Sequence, residues 1–334
     1  MVPKPSQKNN QSYRFSVAPM MDYTDKHYRV MMRHISKRAL LYTEMIVSQA
    51  LHFSKNINYL LDFHEIEHPI SLQIGGDNPK LLAQATRLAK EWGYDEINLN
   101  VGCPSPRVKS GNFGACMMAN PELVARCIEA MREASDLPVT IKHRIGIDDL
   151  NSQEFLLNFV DCVSAAGAKR FIVHARKALL NGLSPKENRI IPPLEYYRVE
   201  QLKKERPNIK IELNGGIDSI DKCNSALTIF DGVMVGRAAY HHPLLWRNID
   251  EIIYGEARKE IKASKIIRKM IPYCDEHLKN EGRLWDICKH LVQIVEKVPG
   301  ARSWRREMSQ KAQKKDADLI ILEEAAQQLE DAGL

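Results

Sequence analysis

The sequence predicts an α/β fold, a closed (β/α)8 barrel followed by a small helical domain. Eight short apolar or β-branched runs alternate with longer segments of helical periodicity, which is typical of parallel β/α units. Eight strands favour a closed barrel over an open doubly wound sheet, and no GxGxxG follows the first run, as a dinucleotide-binding fold would usually require. Beyond about residue 249 the strand pattern ends and charged helical patterns replace it.

The predicted strands follow one another within the first 248 residues. They are RFSVAPM, LLYTEMI, ISLQIGG, EINLNVG, PVTIKHRIG, RFIVHAR, KIELNGG and GVMVGRAAY. Two of the helical segments between them begin with Asn-Pro, at Asn78-Pro79 and Asn120-Pro121, an N-cap followed by a first-turn proline. We therefore expect residues 1–248 to form a TIM barrel and residues 249–334 to form the helical domain.

Composition restricts the classes of function. The chain has 334 residues, of which 44% are hydrophobic and 27% charged, as in ordinary globular proteins. No apolar run approaches the roughly 20 residues of a membrane helix, and the polar N-terminus lacks the apolar core of a secretory signal, so we expect a cytoplasmic protein. Seven cysteines without a CxxC pair disfavour a disulfide framework and a zinc site, and we expect no metal.

Positive charge is concentrated towards the C-terminus. Between Arg258 and Lys315 there are 16 Lys or Arg against 7 Asp or Glu, a net charge of +9, so the remainder carries −3 of the total +6. Polyphosphate binding needs such a patch, although solvated helix faces are often rich in lysine. Charge alone leaves a nucleic-acid surface and an ordinary helix surface open.

Polar side chains recur just past the predicted strands. In a β/α barrel the chemistry lies at the carboxyl ends of the strands, so side chains at these positions should converge. They are Pro19 and Met20, Glu44, Gln73, Asn100 with Cys103, Lys142 with His143 and Arg144, His174 with Arg176, Asn214, and Arg237. One such residue would more often cap a loop or form an ion pair, but seven or eight strand ends together indicate a site.

The last two predicted strands end in glycine. Gly215 and Gly216 follow the seventh strand, and Gly236 with Arg237 follows the eighth, where many barrels hold a phosphate on backbone N–H groups. Glycine permits such an approach, although paired glycines also make ordinary turns. The sequence therefore indicates a ligand that carries a phosphate.

Two further side chains indicate what else that ligand contains. Lys142 and Gln73 could hydrogen-bond a flat heterocycle rich in carbonyls and ring nitrogens, and reduced flavin mononucleotide fits this requirement. His174 would be a second donor. A Schiff base on Lys142, or an ion pair between Lys142 and Glu44, stays open at this point.

Eight segments match the motifs of one known family. They are APMMDYTD, LLYTEM, SLQIGG, NLNVGCPSPRVKSGNFGACMM, TIKHRIGID, FIVHARKALLNGLSPKENRIIPPL, LNGGI and DGVMVGRAAY. With these motifs in this order, over nearly its whole length, the chain resembles the tRNA-dihydrouridine synthases, most closely their A-type subfamily. It departs from them at Pro106, where an acidic residue is usual.

The resemblance implies a flavin barrel with a small helical domain that reduces uridine to 5,6-dihydrouridine in the D-loop of tRNA, with NADPH as reductant. The usual target is position 20, with 20a as a second site, and we expect a monomer. The implied FMN contacts are Pro19, Met20, Met21, Gln73, Lys142, His174, Asn214, Gly215, Gly216, Gly236 and Arg237. The implied tRNA contacts are Asn100, Lys186, Arg189, Arg302 and Arg305.

Cys103 would be the general acid of this reaction. The C5=C6 bond of uracil must receive a hydride at C6, from N5 of reduced FMN, and a proton at C5. A thiol is mostly protonated at neutral pH, so Cys103 can supply that proton. Gly111 and Gly114 should let its loop close over a uridine that is splayed out of the tRNA loop.

Two other functions stay open on the sequence. A flavoenzyme like dihydropyrimidine or dihydroorotate dehydrogenase would act on free bases, and it needs no basic helical appendix. A tRNA-binding module on an inactive barrel is the second alternative, which the presence of Cys103, Lys142 and His174 disfavours. For Cys103 itself, the simplest alternative is a small residue that packs in the core.

Overall fold

The computed structural model describes residues 12–334, which fall into two compact units. The first unit comprises the described part of Met1–Met21 together with Leu40–Gly236. The second comprises Asp22–Ala39 together with Arg237–Leu334. Within the described range, no helix is both long and apolar enough to cross a membrane.

The strands of the first unit form one closed parallel sheet. In the described residues they are β1 (Phe15–Val17), β2 (Leu40–Tyr42), β3 (Ile46–Val47), β4 (Ile70–Gly75), β5 (Glu96–Val101), β6 (Val139–Arg144), β7 (Arg170–His174), β8 (Lys210–Asn214) and β9 (Gly232–Val235). The order is β2-β1-β9-β8-β7-β6-β5-β4-β3, and β2 also pairs with β4, which closes the sheet. Since β3 continues the run of β2 and pairs with the end of the same strand β4, the two count as one barrel strand, eight strands make the barrel, and the predicted TIM barrel is confirmed.

Helices alternate with these strands and then continue alone. They are α1 (Lys26–Ile35), α2 (Ser48–Phe53), α3 (Ile57–Leu61), α4 (Pro79–Glu91), α5 (Pro106–Ser110), α6 (Pro121–Ala134), α7 (Gln153–Ala165), α8 (Tyr196–Glu205), α9 (Ile220–Leu227), α10 (Arg237–His241), α11 (Ile249–Tyr254), α12 (Ala263–Lys279), α13 (Leu284–Leu291), α14 (Ala301–Ala312) and α15 (Ile320–Asp331). The two predicted Asn-Pro starts are confirmed: Asn78 caps α4 and Asn120 caps α6, each with proline in the first turn.

Two predicted strands end differently in the structure. LLYTEMI is divided into β2 and β3, and between them the hydroxyl of Thr43 accepts a hydrogen bond from the backbone N–H of Gln73 (3.0 Å). At this point a side-chain hydroxyl accepts the hydrogen bond that a backbone carbonyl of the neighbouring strand would otherwise accept. GVMVGRAAY is a strand only as far as Val235, because the Arg-Ala-Ala run after Gly236 favours a helix and begins α10.

The barrel interior combines an apolar cluster with a buried ionic group. The cluster consists of Ala18, Leu40, Tyr42, Ile172 and Met234, against which Tyr13 and Met20 pack. The ionic group is centred on Arg170, whose guanidinium bonds the carboxylates of Glu96 and of Glu212 (2.9 Å to the latter). Burial raises the pKa of Glu212, while Arg170 and the hydroxyl of Ser16 oppose the rise. A buried arginine between two carboxylates leaves none of the three charges unpaired.

The second unit is helical and includes α1 as well as α10–α15. Asp25 caps α1 by accepting a hydrogen bond from the N–H of Tyr28 (3.0 Å), and it also bonds Lys289 (2.8 Å) and His290 (3.0 Å) of α13. Burial opposes ionisation of Asp25, but these hydrogen bonds hold its pKa well below the usual range. One carboxylate therefore joins the start of α1 to α13.

Candidate active site

The register of the barrel brings the predicted strand-end residues together. Alternate residues of a strand point to the same face, and directly paired residues share it. Asn100 of β5 pairs with Lys142 of β6, and Arg144 of β6 pairs with His174 of β7, which in turn pairs with Asn214 of β8. The polar residues at the ends of four consecutive strands are therefore neighbours at one mouth of the barrel.

Amide hydrogen bonds hold Gln73 and Asn100 at this mouth. The side chain of Gln73 is buried, and its Oε1 accepts a hydrogen bond from Nδ2 of Asn100 (2.9 Å). Oδ1 of Asn100 accepts from the backbone N–H groups of Gly102 (3.1 Å) and Cys103 (3.0 Å). The backbone of Cys103 is thus fixed to the strand that precedes it.

Cys103 lies on a tightly folded loop, and its side chain is partly exposed. The N–H of Ala115 donates to its carbonyl (2.9 Å). Gly114 has φ +75°, and a Cβ there would stand 2.6 Å from the same carbonyl, so the position requires glycine. Pro106 occupies the first turn of α5, which Ser105 caps, so a proline is well tolerated where the related proteins usually have an acidic residue.

Burial makes Lys142 an unusual base. Burial removes the Lys142 amine from water and lowers its pKa to about 7, and the charge of Arg144 acts in the same direction. Near neutral pH the amine can therefore be present in both protonation states.

Arg144 and His174 complete one edge of the mouth. Desolvation lowers the pKa of His174 well below its ordinary value, and Arg144 and Lys142 reinforce the effect, so the imidazole is neutral at physiological pH. Burial likewise lowers the pKa of Arg144 to about 10. The guanidinium of Arg144 donates to the carbonyls of Gly102 (3.1 Å) and Asn188 (2.9 Å), which joins the Cys103 loop to the loop after β7.

That loop, residues 177–192, carries Lys186 and Arg189. Lys186 is exposed and Arg189 partly exposed, in a 3-10 turn Glu187–Arg189. Buried Asn188 holds the turn, since its side chain bonds the N–H and the carbonyl of Leu179. Exposed Ile190 follows directly. The loop is therefore internally braced, with cationic and apolar groups on its surface.

The glycines after β8 form a closely packed turn. Gly215 has φ +108° and Gly216 has φ +72°, conformations that side chains rarely adopt. A Cβ on Gly215 would lie 2.6 Å from the ring of His174, and the hydroxyl of Tyr196 donates to the Gly215 carbonyl (2.6 Å). The side chain of Asn214 donates to the carbonyl of Met234 (2.8 Å), which ties β8 to β9.

The remaining predicted cofactor residues lie at the ends of β1 and β9. Pro19 is partly exposed, Met20 packs against the interior cluster, and Met21 is 56% exposed. Gly236 follows β9, and Arg237 is an exposed residue at the start of α10, in the second unit. The structure thus brings Met20 to the barrel interior but leaves Met21 and Arg237 on the surface.

The other two predicted tRNA residues lie on α14 of the second unit. Its buried face is anchored by Trp304, whose indole N–H donates to the carbonyl of Ala325 (3.2 Å). Arg302 is exposed and Arg305 is partly exposed. Two arginines of α14 therefore reach solvent from a helix that is fixed by a buried tryptophan.

Comparison with known proteins identifies the family. A family model described as "Dihydrouridine synthase (Dus)" matches residues 16–331. The chain belongs to the dihydrouridine synthase family. Dihydrouridine synthases are flavin-dependent oxidoreductases, so this chain is an enzyme of that class.

Curated relatives of this dihydrouridine synthase match along nearly its full length. A Shewanella oneidensis protein is 49% identical over 316 residues, 95% of this chain and 94% of the relative. A Synechocystis protein is 51% identical over 313 residues, 93% of each chain, and an Escherichia coli K12 protein is 49% identical over 315 residues, 94% of this chain and 91% of the relative. All three are named tRNA-dihydrouridine(20/20a) synthase.

The mouth of this dihydrouridine synthase fits a flavin. Gln73, Lys142 and His174 present an amide, an amine and a neutral imidazole, which suit the carbonyls and nitrogens of a flat ring. Gly216, which is exposed after β8, presents backbone that a phosphate-bearing tail can approach. Among the described residues, no cluster of His, Cys, Asp or Glu could hold a metal ion.

Three residues at or below this mouth were given no role from the sequence. The sequence placed Arg144 at a strand end without a role, and it did not single out Asn98 or Thr140. Asn98 lies two residues before Asn100, and Thr140 lies two residues before Lys142. Since alternate residues of a strand share a face, this spacing was a usable signal.

Proposed function

We propose that this enzyme reduces uridine to 5,6-dihydrouridine in the D-loop of tRNA, at position 20 and at 20a, with FMN as cofactor and NADPH as reductant. The observation that carries the proposal is the position of Cys103 in a chain of this family. Its thiol follows β5, its backbone is held by Asn100, and Asn100 pairs with Lys142. The names of the relatives support the choice of tRNA and of the two positions.

Gln73, Lys142, His174 and the Gly215 turn would hold the cofactor. Pro19, Met20, Met21, Asn214, Gly216, Gly236 and Arg237 complete the proposed FMN contacts. Bound in its reduced form, FMN supplies the hydride that C6 of uracil accepts. The neutral His174 donates a hydrogen bond without adding charge, while Lys142, with a pKa of about 7, can carry a positive charge where negative charge develops.

Cys103 would deliver the proton to C5. Hydride addition at C6 leaves negative charge towards the C4 carbonyl, and protonation at C5 removes it. The carbonyl of Cys103 is bonded to Ala115 and its N–H to Asn100, so the backbone of this residue is held on both sides. A fixed backbone lets the short thiol side chain approach one defined point.

Two cationic regions would bind the tRNA. Lys186 and Arg189 lie on the braced loop that Arg144 joins to the Cys103 loop. Arg302 and Arg305 lie on α14, within the segment of net charge +9. Phosphate contacts of this kind offset the few kcal/mol required to unstack the target base, so residues 1–248 would serve catalysis and residues 249–334 tRNA binding. We further propose a monomer that acts in the cytoplasm.

A defined assay tests this function. Purified protein, FMN and NADPH are mixed with an unmodified tRNA transcript, and dihydrouridine is quantified by mass spectrometry. We expect dihydrouridine in the tRNA and none from free uracil. Reduction of free uracil, with tRNA unchanged, would instead identify an enzyme of free bases.

A further inference from the structure

A continuous line of hydrogen bonds joins the buried ionic group of the barrel to the loop of Cys103. Thr140 donates to Oε1 of Glu96 (2.8 Å), and Oγ1 of Thr140 accepts from Nδ2 of Asn98 (2.9 Å). Oδ1 of Asn98 accepts from Nε2 of Gln73 (2.8 Å), and from there the line continues through Asn100 to the backbone of the loop. We call these residues the amide chain: Glu96, Thr140, Asn98, Gln73, Asn100 and the N–H groups of Gly102 and Cys103.

The register explains why the amide chain is continuous. Gln73, Asn98 and Thr140 are direct partners on β4, β5 and β6, so their side chains lie side by side in one layer of the interior. All three are at most 3% exposed. Buried amides that face one another must orient as donor to acceptor, since an unpaired buried polar group is costly.

Both ends of the amide chain impose the same direction on it. At one end, the backbone N–H groups of Gly102 and Cys103 can only donate, so Asn100 must present its oxygen to them and its NH₂ group to Gln73. At the other end, the carboxylate of Glu96 accepts from Thr140 and is paired with Arg170. Each amide therefore has a single orientation that satisfies its neighbours.

The structure assigns Asn98 and Thr140 as positioning residues. They fix which end of the Gln73 amide faces its neighbours and, through Asn100, the backbone of Cys103, although neither touches the reacting atoms. The assignment rests on the proposed function in one respect, namely that Gln73 contacts the flavin. Networks of this kind rigidify a site only when every member has its hydrogen-bond partners. The loss of one link should therefore disturb both the Gln73 amide and the backbone of Cys103.

Glu96 offers a matched control. The hydroxyl of Ser71 also donates to Oε1 of Glu96 (3.0 Å), and Ser71 is fully buried, but its hydroxyl is not a link between Glu96 and Asn98. Ser71→Ala and Thr140→Val thus each remove one hydroxyl from the same carboxylate oxygen. Only Thr140→Val also removes the acceptor of Asn98. Asn98→Leu cuts the chain at a second link, and Thr140→Ser restores the hydroxyl.

The test measures FMN binding to the flavin-free protein, the visible spectrum of bound FMN, and tRNA reduction by the prereduced enzyme. We expect Thr140→Val and Asn98→Leu to weaken FMN binding and to slow the tRNA step, each by about tenfold, as one lost buried hydrogen bond would. The bound-flavin spectrum should shift in both variants. Ser71→Ala and Thr140→Ser should stay within about twofold of the wild type in FMN affinity and in the rate of tRNA reduction.

Equal behaviour of Thr140→Val and Ser71→Ala in binding, spectrum and rate would overturn the assignment. The melting temperatures of Thr140→Val and Ser71→Ala show how far each variant is destabilised, since both lose a hydrogen bond to Glu96. Only Thr140→Val should also change the spectrum of bound FMN. If Thr140→Val does not fold, Asn98→Leu decides alone because it cuts a different link. A wild-type protein that binds FMN but makes no dihydrouridine would contradict the proposed function, while the binding and spectral comparison would still test the amide chain.

Discussion

Cys103 is the side chain on which the proposed chemistry depends. Its backbone is bonded to Asn100 on one side and to Ala115 on the other, and Gly114 allows the close approach that this requires. Cys116, on the same loop, instead directs its thiol to the carbonyl of Phe113 (3.1 Å), and burial raises its pKa. The two thiols of the loop therefore have different surroundings, and only Cys103 is proposed as an acid.

Replacement of Cys103 tests that assignment. We expect Cys103→Ala to bind FMN and to be reduced by NADPH at the wild-type rate, but to reduce tRNA about 100-fold or more slowly, because the proton donor is lost. Rapid mixing separates the two half-reactions. Cys116→Ala is the matched control and should retain both, whereas loss of FMN from Cys103→Ala would show that the thiol is structural.

Lys142 should make the stability of the flavin-free protein depend on pH. Its folded-state pKa of about 7 lies below its ordinary value, so between these two values the unfolded chain binds a proton that the folded chain does not. The free energy of unfolding should therefore rise with pH through this window. Below about pH 7 the folded protein bears the full cost of a charged, buried Lys142 amine.

Denaturant unfolding of the flavin-free protein measures this effect. Lys142→Met should be most stabilised relative to the wild type near pH 6.5, and the difference should shrink towards pH 10. Lys169→Met changes the same charge at an exposed position and should show no such trend. A stability difference that does not change with pH would contradict the lowered pKa.

The sequence predicts the side chains at the strand ends of the mouth but not those deeper in the same strands, for a physical reason. Gln73, Lys142 and His174 were found because each ends a strand, and barrel chemistry lies there. Asn98 and Thr140 lie deeper in the same strands, where a polar residue within an apolar run gives little sign of its partner. Their pairing depends on the register between strands, which follows from barrel closure and not from the local sequence.

Among the helices, α1 departs most from the expected pattern. It follows β1 as the first helix of a β/α unit would, but it belongs to the helical unit, where Asp25 bonds α13. The sequence pattern of α1 is an ordinary amphipathic one, so its buried face carries no sign of which element will cover it. The contact partner is a tertiary property.

Asp25 should contribute strongly to the stability of the helical unit. Asp25→Ala removes the cap of α1 and leaves Lys289 and buried His290 without their carboxylate, so we expect a loss of about 3 kcal/mol in the free energy of unfolding. Chemical denaturation measures it. Asp316→Ala, at an exposed position of the same unit, is the control and should change the stability by less than about 0.5 kcal/mol.

The arginines of α14 should affect tRNA and not the flavin. We expect Arg302→Ala/Arg305→Ala to weaken tRNA binding and to reduce the slope of log affinity against log salt by about 1.5, since two phosphate contacts are lost. NADPH oxidation should be unchanged. Lys169→Ala/Lys204→Ala removes the same charge from exposed positions of the barrel unit. An unaltered salt slope in the arginine variant would refute its role.

Taken as one chain, the protein combines a catalytic barrel with a separate basic unit. The sequence predicts a barrel domain up to residue 248 and a helical domain after it, and the compact units of the structure meet in the chain at Met21, Ala39 and Gly236. Strand count and charge distribution were sufficient to predict a barrel and a basic helical region. They could not show that the chain leaves the barrel unit after β1 and returns at β2, because this depends on which faces pack together.

Mapping of dihydrouridine in tRNA from cells that lack this gene tests the proposed activity in its natural setting. We expect positions 20 and 20a of the D-loop to hold uridine in these cells and to regain dihydrouridine when the wild-type gene is restored, but not when the Cys103→Ala gene is restored. Dihydrouridine that persists at both positions without the gene, or that returns fully with Cys103→Ala, would contradict it.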